Sequence, residues 1–364
     1  MKKTVFFSGV FFLYFYIFYN QIYNKAGLFP SDLPDHISFG QQFLAGDNQL
    51  PHPGLYLLIF LVSLVSPFSF EESGILTLSI LVVLISWIIY RFLTKYTDKA
   101  LEYTSVLMIV TPIFVPFFNQ LYLGQSSANV YHNPTLIAVK PFVYLSLIYF
   151  IKMLEKPTLL NVVLTGFILM ASTVMKPNFV LVFIFTAPLY MLIKNVSFNR
   201  WFLLMATLVP TGSLLIYQYF RTYNLDDGGK IVFDFLGVWN LYSPSPLLSV
   251  VLSLSFPLGI LVFRSKSVWN SRYLLFSWIG TIIAYLQFAV LAEEGIRYTH
   301  ANFVWGVHMM VALLFLFSVI ELIKWKIEVG NGNWKQTLVQ TILAFHFCSG
   351  LYYLIAIILG NSYI

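Results

Sequence analysis

Ser31-Asp32-Leu33-Pro34-Asp35-His36 puts two carboxylates and an imidazole within five residues of a chain in which only 10% of residues are charged. Such a set suits general acid–base work on a hydroxyl. Asp32 and His36 are four apart and Asp32 and Asp35 three apart, so they share a helical face if the turn extends back to residue 32. Residues 35–45 read as a short amphipathic helix ending at Gly46, with Pro34 in the first turn and Asp32 or Leu33 near the cap. An Asp there is equally suited to capping, where it accepts from free backbone N–H groups. Two uses therefore compete for Asp32.

Further polar groups stand out against the apolar background. Residues 124–135 carry Asn129, His132 and Asn133 ahead of Pro134. Asn133 can cap the helix that Pro134 opens, whereas Asn129 and His132 have no such structural need. Lys140 follows inside the next apolar run, where an ammonium must pair or snorkel. Lys176 lies in the hairpin Met175-Lys176-Pro177-Asn178, as an interfacial lysine or a cationic phosphate site. The run Glu293-Glu294-Gly295-Ile296-Arg297-Tyr298-Thr299-His300-Ala301-Asn302 is the densest polar cluster at a span boundary, with His308 deeper still. Glu294, Arg297, His300 and Asn302 are its binding candidates, and the planar fork of Arg297 fits an oxyanion bidentately. The loop 221–245 joins the turn signal Asp226-Asp227-Gly228-Gly229 to Trp239 and Tyr242, as anchors or as platforms for a sugar.

The elements that must position these groups are membrane helices. The 364 residues are 59% hydrophobic and 18% aromatic, far from the ~45–50% apolar and ~25% charged residues of soluble domains. Apolar runs of spanning length recur from end to end. The expected fold is all-α: a polytopic transmembrane helical bundle forming one integral-membrane domain over 1–364. Its spans fall near 4–23, 74–93, 103–122, 134–153, 159–175, 177–193, 201–220, 246–264, 273–292, 301–323 and 336–358, about eleven in all. Met1 to Tyr23 reads as a retained first span, since no small-residue cleavage site ends it. The single cysteine, Cys348, excludes an internal disulfide.

Basic residues set the orientation. With the N-terminus in the cytoplasm, Lys2, Lys3, Arg91, Lys95, Lys99, Lys152, Lys156, Lys194, Arg200, Arg264, Lys266, Arg272, Lys324, Lys326 and Lys335 all fall inside, 15 of the 21. That parity requires the proline-bracketed segment 51–67 to be a juxtamembrane or re-entrant helix rather than a crossing. The loops 24–50 and 221–245 then lie on the extracytoplasmic face, with ten of the fifteen acids, Glu71 and Glu72 being the plainest surface pair. The net charge of +6 is explained by the inside lysines and arginines and implies no nucleic acid.

Asp32-Leu33-Pro34-Asp35-His36, a short helix and then Pro51-His52-Pro53 before an apolar helix resemble the first extracytoplasmic loop of the GT-C superfamily of integral-membrane glycosyltransferases. Tyr131-His132-Asn133-Pro134-Thr135, Lys176-Pro177-Asn178 and the run from Glu294 to Gly306 are similar to bacterial membrane proteins of surface-polysaccharide synthesis. The resemblance implies a polyprenyl-phosphate-linked sugar donor, a glycan or lipid-linked acceptor and a plasma (inner) membrane setting. Asp32 matches the superfamily's catalytic base, with Asp35 its nearest rival. His36, His52, Asn129, His132, Asn133, Lys176, Glu294, Arg297, His300 and Asn302 are the expected substrate-binding set. No particular cofactor is implied, and Asp32, Asp35 and Glu294 form a candidate set for a divalent cation, since carboxylates suit hard ions. Two other classes remain open: an O-antigen-type polymerase, which would rely on more outside arginines than Arg221 and Arg297, and a lipid-carrier flippase, which would place charges along a transmembrane path.

Overall fold

The computed structural model describes residues 2–24, 31–47, 50–115, 124–223, 229–330 and 332–360. The chain runs through α1 (Lys2–Tyr23), α2 (Leu33–Ala45), α3 (Gly54–Val65), α4 (Phe70–Leu93) and α5 (Ala100–Ile109). A buried non-helical stretch leads to α6 (Pro134–Glu155), α7 (Leu159–Met175), α8 (Asn178–Ile193) and α9 (Phe198–Tyr223). Next come β1 (Ile231–Phe233), α10 (Gly237–Tyr242), α11 (Pro246–Phe263), α12 (Ser265–Asn270) and α13 (Arg272–Val290). Strand β2 (Leu291–Glu293), a 3-10 helix (Gly295–His300), α14 (Val304–Val329) and α15 (Trp334–Ile358) follow. Among the described residues eight helices (α1, α4, α6, α9, α11, α13, α14 and α15) are long and apolar enough to cross a bilayer. This is a multi-pass, all-α membrane bundle. Helices α7 and α8, at 17 and 16 residues, are apolar but shorter.

α14 is the central pillar. Every residue from Val304 to Ile323 is buried, as expected of a helix that is apolar on all sides. Its neighbours order the bundle ends. At one end Arg272 pairs with Glu155, Arg264 bridges Glu321 and Glu328 at 3.1 and 2.7 Å, and the Lys194 ammonium meets the Trp269 carbonyl. At the other end lie α2, the α7–α8 hairpin, the β1–β2 pair and the 3-10 helix.

Local chemistry explains the helix ends that matter. Pro34 lies in the first turn of α2, and Gly46 closes it in the left-handed region at φ 86°. Ser69 and Glu72 form a reciprocal capping box on α4, which gives Glu72 a structural task. Helix α3 has 12 residues, so it reaches about 18 Å, short of a bilayer core. Its first residue, Gly54, lies against α7, where an added Cβ would stand 2.9 Å from the Val174 carbonyl. Phe70, a few residues beyond its far end, packs on Gly40 of α2. Both ends of α3 are therefore at the end of the bundle that holds α2.

The largest departure from expectation is at 103–122. Helix α5 stops at Ile109, residues 110–115 are not helical, and 116–123 lie outside the described residues. Pro112 accounts for the stop, since it lacks an N–H and disfavours helical geometry just before it. The freed backbone finds partners on other helices: Thr111 N donates to His346 O (3.3 Å), and Ile113 N donates to Leu252 O (3.1 Å).

Residues 124–133 are also non-helical, and they are buried rather than forming an exposed loop. Such backbone is tolerated in a membrane protein only where protein groups satisfy it. Ser126 N donates to Ser253 Oγ (3.0 Å), Ser127 N to His308 Nδ1 (2.8 Å), and the Trp239 indole donates to Gly124 O (3.0 Å). Trp239 is thereby buried and stacked on Tyr285, not offered to a sugar. Asp226 and Asp227 lie outside the described residues.

Candidate active site

The site grows from the segment that begins at Ser31. The Ser31 hydroxyl accepts from Leu33 N at 3.1 Å and lies 3.0 Å from both Gln21 Oε1 and the His132 carbonyl. Asp32 occupies the N-cap position of α2, but its side chain makes no capping hydrogen bond. Its amide donates to His132 O at 3.0 Å, and its Oδ2 instead accepts from Asn133 Nδ2 at 2.9 Å. Of the two uses open to Asp32, the geometry leaves the carboxylate aimed across the fold.

Asn133 links that carboxylate to a cation. It caps α6 by accepting from Leu136 N at 2.9 Å, and the same Oδ1 accepts from the Thr135 hydroxyl at 2.9 Å. Lys176 Nζ donates to Thr135 Oγ1 at 2.8 Å, lies 3.4 Å from Asn133 Oδ1 and sits 5.0 Å from the centre of the Trp305 ring. Lys176 is held there because it ends α7 in an extended conformation and Pro177 starts α8 at once. It is buried, which lowers its pKa to about 8 against the opposing pull of Asp32. Burial raises the Asp32 carboxyl above its ordinary value, opposed by Lys176 and by the Asn133 hydrogen bond.

Three histidines surround this pair. His36 meets the Tyr56 hydroxyl at 2.6 Å and stacks on its ring. His132 lies edge-on to Trp305. Burial first, and the nearby Lys176 among the charges, push His36, His52 and His132 down to about 3. All three are neutral imidazoles near neutral pH. The positive charge of the site therefore rests on Lys176 and on Arg297.

Arg297 projects from the 3-10 helix, which follows β2. Strands β1 and β2 pair antiparallel with Ile231 opposite Glu293, and this turns Glu293 inward. Only 4% exposed, Glu293 accepts from the Tyr223 hydroxyl, Arg297 Nε (3.1 Å) and Asn302 Nδ2. The Asn302 carbonyl in turn accepts from Asn178 Nδ2 at 2.7 Å. Lys176, His52, Asn178, Glu293, Arg297 and Asn302 line one cavity of about 140 Å3, with Leu181, Leu215 and Phe303 forming an apolar wall. Two cations and one carboxylate line this cavity, with Arg297 paired to Glu293 and the Asp32 carboxylate acting on Lys176 from behind.

Of the residues singled out in the sequence, His52, Lys176, Arg297 and Asn302 thus share a cavity. Asp32, Asn133 and His132 lie on the other side of Lys176, with His36 close by. His300 is exposed, although its charge acts on Asp32. Three residues stand apart. Asp35 is exposed. Glu294 is a surface residue 3.8 Å from Lys230, and its neighbour Glu293 is the inward carboxylate. Asp32, Asp35 and Glu294 do not converge, and among the described residues no group of three His, Cys, Asp or Glu side chains is arranged to hold a metal ion. The trio considered for a divalent cation is therefore not assembled.

Asn129 is the third. Its Nδ2 donates to Leu107 O (2.9 Å) and Val110 O (2.8 Å), and its Oδ1 accepts from Lys140 Nζ (2.8 Å). Lys140 also donates to Ala128 O at 2.6 Å. Both side chains hold the non-helical stretches together, at a distance from that cavity. Asn129→Leu is expected to lower the thermal midpoint of the purified protein, with a cost of about 2–4 kcal/mol for stranding several buried partners.

Glu293, Gln218, Tyr223, Thr135 and Tyr56 are not among the site residues expected from the sequence. Glu293 and Thr135 stand within the polar runs quoted above, and a glutamine inside the apolar run of α9 is a visible signal for Gln218, whereas Tyr223 and Tyr56 carry no local mark. Compared with known proteins, the chain matches no family model and no curated protein.

Proposed function

We propose that this chain is a membrane glycosyltransferase that moves a sugar from a polyprenyl-phosphate donor to a hydroxyl of a glycan or lipid-linked acceptor. The observation that carries the reading is the Asp32–Asn133–Lys176 linkage beside a cavity that also holds Arg297. It provides a partly buried carboxylate that does not cap its helix, next to a cavity lined by two cations. Asp32 takes the proton of the acceptor hydroxyl as that oxygen bonds to the anomeric carbon. The bond from that carbon to the phosphate oxygen breaks, and its electron pair leaves with the polyprenyl phosphate. Lys176 and Arg297 stabilise the charge that develops there. The charge rule assigns the basic end of the bundle to the cytoplasm, which supports a site on the extracytoplasmic side. The site residues gather at one end of the bundle rather than along a path through it, which favours transfer over transport.

The test is turnover in proteoliposomes loaded with radiolabelled polyprenyl-phosphate sugars and candidate glycan acceptors. Labelled acceptor together with free polyprenyl phosphate is the expected result. Passage of intact donor across the bilayer without cleavage would replace this reading with a flippase, and stepwise lengthening of a lipid-linked repeat would replace it with a polymerase.

A further inference from the structure

Gln218 lies in the last turns of α9 and is 4% exposed. Its Nε2 donates to the Thr173 carbonyl at 3.0 Å. A carbonyl can only accept, so the side-chain nitrogen must be the atom at Thr173 and the orientation of the amide is fixed. That leaves Oε1 buried and without a donor among the described residues. A buried acceptor left unpaired costs about 1–3 kcal/mol, and native proteins retain few of them. Gln218 lines the cavity that holds Lys176 and Arg297. On the same wall stand Tyr219 and Tyr223, whose rings are 4.9 Å apart. The cavity, about 140 Å3, has room for roughly five waters at their liquid volume, which is the scale of part of a sugar ring.

We propose that Gln218 is a specificity-determining residue whose Oε1 accepts a hydrogen bond from a sugar hydroxyl of a bound glycosyl phosphate, while Lys176 and Arg297 hold the phosphate. The cavity lining combines three features that a glycosyl phosphate matches at once: cations for its anionic oxygens, the Gln218 side chain, whose covered Oε1 meets a hydroxyl once the side chain shifts toward the cavity, and aromatic rings for its C–H face. A bare phosphate would leave Gln218 unsatisfied, and a neutral sugar would leave the cations uncompensated. The identity of the ligand class rests on the glycosyl-transfer reading; the need for a donor at Gln218 does not.

The test compares ligand affinities for the full-length protein in detergent by calorimetry. Glucose, galactose and mannose 1-phosphates are each measured against methyl phosphate, which supplies the anion alone. At least one hexose 1-phosphate is expected to bind more tightly than methyl phosphate. Gln218→Leu is expected to cut that preference about tenfold, the value of one hydrogen bond to a buried acceptor, with methyl phosphate affinity unchanged. Gln218→Met, closer in shape, takes its place if the leucine variant does not fold. Gln218→Glu keeps an acceptor oxygen but adds negative charge, so both ligands should weaken together and the preference should survive. Lys176→Ala should lose both ligands. A wild-type protein with no preference for any hexose 1-phosphate, or a preference untouched in Gln218→Leu, overturns the assignment. A second arm offers the same hexose on polyprenyl phosphate in nanodiscs. Tighter binding there identifies the lipid-linked source of the ligand, and equal binding identifies the soluble one; either keeps the subsite. The two readings fail separately. Sugar transfer without hexose preference keeps the transferase and removes Gln218, whereas preference without transfer keeps Gln218 and removes the transferase.

Discussion

Asp32→Asn is expected to reduce sugar transfer by about 10²–10⁴-fold, the usual contribution of a general base, while the protein remains folded. The substitution is isosteric, and an asparagine at 32 still offers an oxygen to Asn133 Nδ2, its side-chain partner at 2.9 Å. No helix cap is lost, because the Asp32 side chain makes no capping bond to α2. Burial raises the Asp32 carboxyl above its ordinary value, which means that the ionised form is disfavoured in its surroundings. A neutral amide removes that penalty, so the thermal midpoint should hold or rise. Asp35→Asn supplies the contrast. Asp35 is exposed, and its variant should transfer sugar at close to the wild-type rate. Transfer rates and melting curves on the two variants, prepared side by side, check both statements. Undiminished transfer in Asp32→Asn would remove Asp32 as the base.

How much of this was legible in the sequence depends on how far apart the partners lie along the chain. Helix α2 could be read because its signals are local: Pro34 in the first turn and Gly46 as a left-handed C-cap. The partner of Asp32 could not, because Asn133 lies 101 residues away and nothing near either residue announces the other. Asn129 shows the opposite error. A polar residue with no local task was taken for a ligand contact, yet its task is to close carbonyls released where α5 breaks off. That break follows from Pro112, which lies inside the apolar run 103–122. Hydropathy reports burial in the bundle or contact with lipid, and it does not report whether the backbone is helical. Glu293 is the last residue of β2 and is buried, whereas Glu294 lies just past the strand and at the surface; β2 has no signal within the apolar helical pattern of 273–292, so nothing local separates the two glutamates.

Lys176 yields the second large effect, and it is read from pH dependence. Burial lowers its pKa to about 8, so the ammonium predominates below that pH and is lost as pH rises through it. The reaction needs the ammonium for the departing phosphate and the Asp32 carboxylate for the acceptor proton. Transfer should therefore rise with pH as Asp32 ionises, at a pH above the ordinary carboxylate range because burial raises that group, and fall again near pH 8. Lys176→Met removes the cation at every pH, and a loss of about 10²–10³-fold is expected by comparison with other deleted stabilising donors. Lys176→Arg separates charge from structure. A guanidinium stays protonated throughout the accessible range and can still donate towards Thr135, so transfer should be reduced at its optimum yet lose its alkaline fall. The structural alternative predicts otherwise. If Lys176 only fastened the α7–α8 hairpin to α6, through Thr135 and Asn133, the arginine variant would change stability and leave the alkaline limb where it was. A rate profile of kcat/KM between pH 5 and 10 for wild type and Lys176→Arg decides between the two, because only a cation acting on the leaving group can move that limb.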